Sequence, residues 1–373
     1  MSAAVACRSP PGGYLRGLDG LRGAAVGMVL FAHSVIYDEF SSWRSVGSAA
    51  GGAGVTIFFV LSGYLITRLL LAEERRTGTI ALKLFYARRA VRLFPALWLY
   101  LAVVGLLALP GFLPDCPWHS FAASLLYLRN LVGRGHETAH LWSLSIEEQF
   151  YLLWPFVIVL LPGRDRVRLG AALAGVVTVT VWRTAAAAEG WASPAALYLR
   201  TDFRFDAPLV GCALALLEQV RPSLFDFWTT PGRSDLLAGT AAAALVSWIT
   251  LGGGGPIAES IRLTGVCLSA SALIVSQLGT PGPLSGWFAW TPLVALGRIS
   301  YGVYLWQQLF LGPHVDGFER LRSFPNGLAA TFAAALLSYW LLERPLLAFK
   351  NRRLRVVHGP PPERSPSDRS PLR

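Results

Sequence analysis

Ten apolar stretches, each close to the length of a membrane span, divide the chain: residues 18–37, 53–71, 91–110, 142–162, 167–187, 204–220, 235–251, 257–278, 292–312 and 327–347. A helix rises ~1.5 Å per residue, so about 20 apolar residues cross a hydrocarbon core of roughly 30 Å. Gly and Pro punctuate the gaps, at Gly51-Gly52, Pro110-Gly111, Pro162-Gly163, Gly252 to Gly255 and Pro281-Gly282-Pro283. The pattern predicts an all-α, polytopic membrane protein: a bundle of about ten transmembrane helices, with 204–220 and 235–251 its shortest members. Residues 1–350 form one integral-membrane domain. Residues 351–373, rich in Pro, Ser and Arg, are expected to be a basic, disordered tail. The first apolar run has full span length and no small-residue cleavage site behind it, so it is expected to be a retained helix.

Composition agrees. The chain is 53% hydrophobic and only 15% charged, against ~25% charged in a soluble domain. The net charge is +11, and it is almost all arginine, since Lys83 and Lys350 are the only lysines. In a membrane protein such charge marks cytoplasmic loops or serves an anionic ligand, and gives no reason to expect nucleic acid. Basic residues crowd the connection after the second stretch (Arg68, Arg75, Arg76, Lys83, Arg88, Arg89, Arg92), the one after the fourth (Arg164, Arg166, Arg168), and the tail. The positive-inside rule then predicts a multi-pass protein of the cell membrane with both termini cytoplasmic. Cys7, Cys116, Cys212 and Cys267 are scattered without a CxxC pair, which predicts neither a disulfide framework nor a metal site.

Several polar positions interrupt the apolar pattern. Arg22 and His33 lie eleven residues apart, which places them on one helix face about 16 Å apart along the axis. An intramembrane histidine either faces a cavity and does chemistry or bonds a neighbouring helix. Ser62-Gly63-Tyr64 either allows close helix packing or offers polar contacts to a reacting group. Arg88, Arg89 and Arg92 start the third helix; they either anchor it to lipid phosphates or hold a phosphorylated ligand. In the fourth, Ser145 and Glu148 fit a capping box, but two adjacent carboxylates, Glu147 and Glu148, then lead straight into an apolar span. The predicted topology turns that helix start toward the same face as His33, where a carboxylate orients an imidazole and raises its basicity. Ser300, Tyr304 and Gln307 share a helix face, and Arg204-Phe205-Asp206 is a charge cluster at a helix start.

Taken in order, these residues resemble the membrane acyltransferase-3 family, whose members O-acylate sugars and other hydroxylated compounds with acyl-CoA. The matching stretches are Leu18-Asp19-Gly20-Leu21-Arg22-Gly23 with His33, Phe58 to Tyr64, Arg88 to Arg92, Ser143 to Tyr151, Arg204-Phe205-Asp206, and Gly297 to Tyr301 with Tyr304-Leu305-Trp306. They span residues 18–306, and Glu343-Arg344-Pro345 is similar too. The resemblance implies that His33 is the catalytic histidine, with Arg22 its paired arginine. It implies that Arg89 and Arg92, with Arg88 beside them, engage the CoA donor, and that Glu147 and Glu148 are needed for activity. One position departs: the family often has His where this chain has Gln307, and Gln cannot act as a base.

The expectation is a membrane O-acyltransferase that moves an acyl group from acyl-CoA to a hydroxyl of a carbohydrate or glycosylated compound. His33 would be the general base, oriented by Glu147 or Glu148. A covalent acyl-histidine is the alternative chemistry. No permanently bound cofactor is expected; the partners are acyl-CoA, a hydroxylated acceptor (sugar, glycolipid or macrolide) and the bilayer, with no nucleic acid. A macrolide acceptor, a non-catalytic transporter of acyl groups or acylated glycans, and an inactive binding relative remain the alternatives.

Overall fold

The computed structural model describes residues 15–36, 42–113, 116–133, 135–251, 254–313, 315 and 317–353. The helices run in order α1 (Arg16–Ile36), α2 (Arg44–Thr77), α3 (Leu82–Ala108), α4 (Trp118–Leu125), α5 (Leu141–Leu160), α6 (Asp165–Ala188), α7 (Pro194–Leu199), α8 (Thr201–Arg204) and α9 (Asp206–Val220). There follow α10 (Pro222–Trp228), α11 (Arg233–Thr250), α12 (Pro256–Ser276), α13 (Thr291–Arg298), α14 (Ser300–Phe310), α15 (Glu319–Arg322), α16 (Asn326–Ser338) and α17 (Arg344–Arg353). No strand occurs among the described residues. The fold is the all-α membrane bundle that the hydropathy pattern predicts.

The count of spans is finer-grained than ten. Among the described residues six helices, α1, α2, α3, α5, α6 and α12, are long and apolar enough to cross a membrane. The other four apolar stretches are helical but short or interrupted. Helix α9 has 15 residues, about 22 Å of rise. Helix α11 has 18 residues. The stretch 292–312 breaks at Ile299 into α13 and α14, and the last one passes through a π turn, Tyr339–Glu343, between α16 and α17. The tail expected to be disordered from residue 351 begins instead as the end of α17, which runs to Arg353; residues 354–373, and Cys7, lie outside the described residues.

Gly51-Gly52 marks no gap: both residues lie inside α2, which starts at Arg44. Small residues here bring two backbones together, as they do in membrane bundles. A Cβ added to Gly51 would meet the Ala32 methyl of α1 at 2.7 Å. Farther along α2, a Cβ on Gly63 would lie 1.9 Å from the Pro208 carbonyl of α9, and one on Gly211 would lie 2.0 Å from the Val60 carbonyl. Around these crossings Leu21, Val26, Phe59, Val60, Leu97 and Ile146 form the buried core. Leu106, Leu152, Leu160, Val177 and Leu268 are exposed, which suits helix faces turned to lipid.

Two connections rich in arginine meet at one end of the bundle. Arg168, at the start of α6, binds Glu74 of α2 at 2.7 Å, and Glu74 also accepts from the Gly163 backbone. Arg88, at the start of α3, binds Glu73 at 2.9 Å. The end of α1 and the starts of α2, α5 and α12 lie at the opposite end, around a cavity.

Candidate active site

The cavity has a volume of about 1350 Å³ and is walled by α1, α2, the 129–140 segment, α7, α11, α12 and α14. His33, in the last turn of α1, lines it. Its Nδ1 lies 2.9 Å from the Val29 carbonyl one turn back. Only a ring N–H can complete that bond, so it assigns the proton to Nδ1 and leaves the lone pair on Nε2. Gln308 lies against the same ring. Its amide nitrogen binds His136 through Nε2 at 3.0 Å and through the backbone carbonyl at 2.8 Å. Burial, followed by the Arg322 and His33 charges, pushes the His136 imidazole down to about 4, so it is neutral at pH 7.

Polar bonds hold the rest of the wall in place. Tyr304 donates to the His140 carbonyl at 2.9 Å and shares a 2.5 Å bond with Ser143. His140 is buried, with the Leu305 backbone against its ring. Arg129 donates to Thr138 and to the Val132 and Gly135 carbonyls, which fixes the loop that borders the cavity. Trp142, Tyr198 and Trp248 supply aromatic surface, with the Trp142 and Tyr198 rings 4.8 Å apart.

The acidic pair is not at this cavity. Glu148 binds Arg89 at 2.9 Å, and Glu147 lies 3.7 Å from the same guanidinium. Glu147 also accepts from Ser62 and Tyr151. The expectation that Glu147 or Glu148 orients His33 is thereby corrected: His33 is held by Val29. Helix α5 begins at Leu141, with His140 at its N-cap, so Ser145 is inside the helix and bonds the Leu141 carbonyl. No capping box forms, and both carboxylates sit in the second turn, deeper in the bundle than a start at Ser145 would place them.

The arginines divide. Arg88 turns to Glu73, whose other oxygen accepts from the Ala81 backbone. Arg89 is held by the acidic pair and lies over the Tyr151 ring. Arg22 binds Asp19 at 3.4 Å. Arg92 is exposed, has Arg22 and Arg89 within electrostatic range, and forms no ion pair among the described residues. Of the expected face of α14, Tyr304 reaches the cavity and Gln307 does not. Gln307 is wholly buried, and its neighbour Gln308 takes the place beside His33.

Sequence alone flagged Asp206 but not its partner in a second buried charge group. Arg183 of α6 binds Asp206 at 2.6 Å and donates to Ser260, Thr264 and the Phe203 carbonyl. An arginine inside an apolar stretch was a usable signal, since such charges pair inside a bundle. His136, His140, Gln308 and Trp248 gave none. Each is a lone residue whose place at the cavity depends on the packing of several helices.

A family model described as an acyltransferase domain matches residues 15–343. A protein named peptidoglycan O-acetyltransferase in Listeria monocytogenes is 30% identical over 365 residues, covering 89% of this chain and 56% of the relative. A Bacillus subtilis protein provisionally named peptidoglycan O-acetyltransferase is 30% identical over 356 residues, covering 89% and 55%. A provisionally named O-acetyltransferase of Staphylococcus aureus is 29% identical over 366 residues, covering 89% and 57%. The chain spans a little over half the length of these relatives. No solved structure matches it. The matched range runs from the start of α1 through the π turn that ends at Glu343, and the chain belongs to the acyltransferase-3 family.

Proposed function

We propose that this protein is a membrane O-acyltransferase that transfers an acyl group from acyl-CoA to a hydroxyl of a carbohydrate or glycosylated acceptor. The observation that carries the reading is His33, with Nδ1 tied to the Val29 carbonyl inside a cavity large enough for a sugar ring. Nε2 takes the proton from the acceptor hydroxyl as its oxygen attacks the thioester carbonyl. The C–S bond breaks, and the thiolate leaves with the proton from His33. Gln308, its amide nitrogen committed to His136, turns its oxygen to the transient imidazolium. The names of the relatives favour a glycan acceptor, and aromatic rings along the wall suit the apolar faces of sugars. Arg92 is the arginine best placed for CoA phosphates, because Arg22, Arg88 and Arg89 already bind carboxylates. With this assignment the arginine-rich end is cytoplasmic and the cavity end faces outward.

The test is release of CoA by the purified full chain in nanodiscs, given acetyl-CoA and a pool of glycans. Wild type should release CoA only with acceptor present. His33→Ala should lower the rate by about 10²–10⁴-fold. Acceptor-independent or absent release from folded wild type would overturn the enzyme reading in favour of a carrier. A fully active His33→Ala would overturn the base.

A further inference from the structure

Behind the cavity lies a positive charge with no carboxylate in contact among the described residues. Arg183 and Arg204 are both fully buried, and Asp206, also buried, is bound to Arg183. The three groups together carry a net charge of +1. Arg204 donates to Thr56 at 2.8 Å, and its Nε has no partner among the described residues. A buried guanidinium left this way is costly in a membrane protein, and such residues mark ligand paths.

Two cavity residues separate Arg204 from the open space. Tyr198 lines the cavity, and its ring lies 5.3 Å from the Arg204 guanidinium carbon. Gly52 lines it too, and the Gly52 carbonyl accepts from the hydroxyl of Thr56, the residue that binds Arg204. The neighbouring pair on this wall, Arg262 and Glu259, cancels at 2.5 Å. Charge on the Gly52–Tyr198 wall therefore comes from Arg204, in low-dielectric surroundings that screen it weakly.

We propose that this wall is an anion subsite and that the acceptor carries an oxyanion, a carboxylate or a phosphate, which lies against Gly52 and Tyr198. The inference rests on the acyltransferase reading for the word acceptor, but the charge preference is a property of the cavity. A guanidinium one residue behind the wall gives an anionic ligand roughly a tenfold advantage over its neutral counterpart. Arg204 positions the ligand through space and takes no part in bond making.

The experiment is calorimetric binding of three probes to the full chain in nanodiscs: methyl glucoside, methyl glucuronide and glucose 1-phosphate. Wild type should bind a charged probe about tenfold more tightly than the neutral one, and which charged probe wins separates a sugar carboxylate from a phosphate. Arg204→Met should erase the difference and Arg204→Lys should keep most of it. Tyr198→Leu, which removes the covering ring, should widen it, and supplies the answer if Arg204→Met does not fold. Equal binding of all three, preference for the neutral sugar, or no binding of either charged probe overturns the subsite. Such a result with normal acceptor-dependent CoA release leaves the proposed reaction standing. A charge preference in a protein that releases no CoA sinks the reaction and keeps the subsite.

Discussion

At the end of the bundle where α2 meets α3 and α5 meets α6, Glu73 holds Arg88, and Glu74 with Asp165 holds Arg168. Deeper in, Arg89 is taken by Glu147 and Glu148. Around the cavity the polar groups are differently placed: the His33 and His140 rings rest against backbone groups, and Arg204 has no carboxylate in contact among the described residues. Paired charges hold helices in register. Under-paired polar groups beside a cavity are where a ligand gains most, because it completes bonds the protein lacks. A motif rich in charge is thus more a mark of assembly here than of ligand contact, and the proposed chemistry falls to scattered, weakly charged residues.

Removing Arg168 is the severest test of the paired end. Arg168→Ala strips a wholly buried guanidinium from two carboxylates and the Ile158 carbonyl. It should lower stability by about 3–5 kcal/mol, read as thermal unfolding in nanodiscs, with transfer per folded molecule unchanged. A variant as stable as wild type would break the contrast. Glu148→Gln has a smaller expected effect, about 1–3 kcal/mol, because Glu147 still faces Arg89. The pH dependence of transfer should keep its midpoint, since His33 is not bonded to Glu148. A shifted midpoint would restore the link between the acidic pair and His33. The mildest change is Ala244→Leu on the cavity wall. It should raise KM for bulky acceptors several-fold and move stability by no more than ~0.5 kcal/mol; an unchanged KM would remove this wall from the acceptor site.

Much of the architecture was legible in the residues alone. The apolar runs gave the bundle, because a bilayer forces each spanning segment to satisfy its own backbone bonds. The eleven-residue spacing put Arg22 and His33 on one face of α1, because helical rotation is a local property. Gly51-Gly52 misled because glycine both ends helices and lets them touch, and sequence does not say which. The capping box at Ser145 misled because the helix extends back to Leu141, held there by the packing of Tyr304 and Ser143 on His140.

By itself, then, the sequence determined an all-α membrane chain, its family, and a histidine as the focus of the first helix. Those depend on hydropathy, periodicity and residue order, which act over a few turns. Only the tertiary structure decided that Glu147 and Glu148 belong to Arg89, that Gln308 and not Gln307 stands beside His33, and that Arg204 sits behind the cavity without a carboxylate in contact. Ion pairs and hydrogen bonds act within about 3–4 Å, so their partners are set by the relative depth and rotation of whole helices.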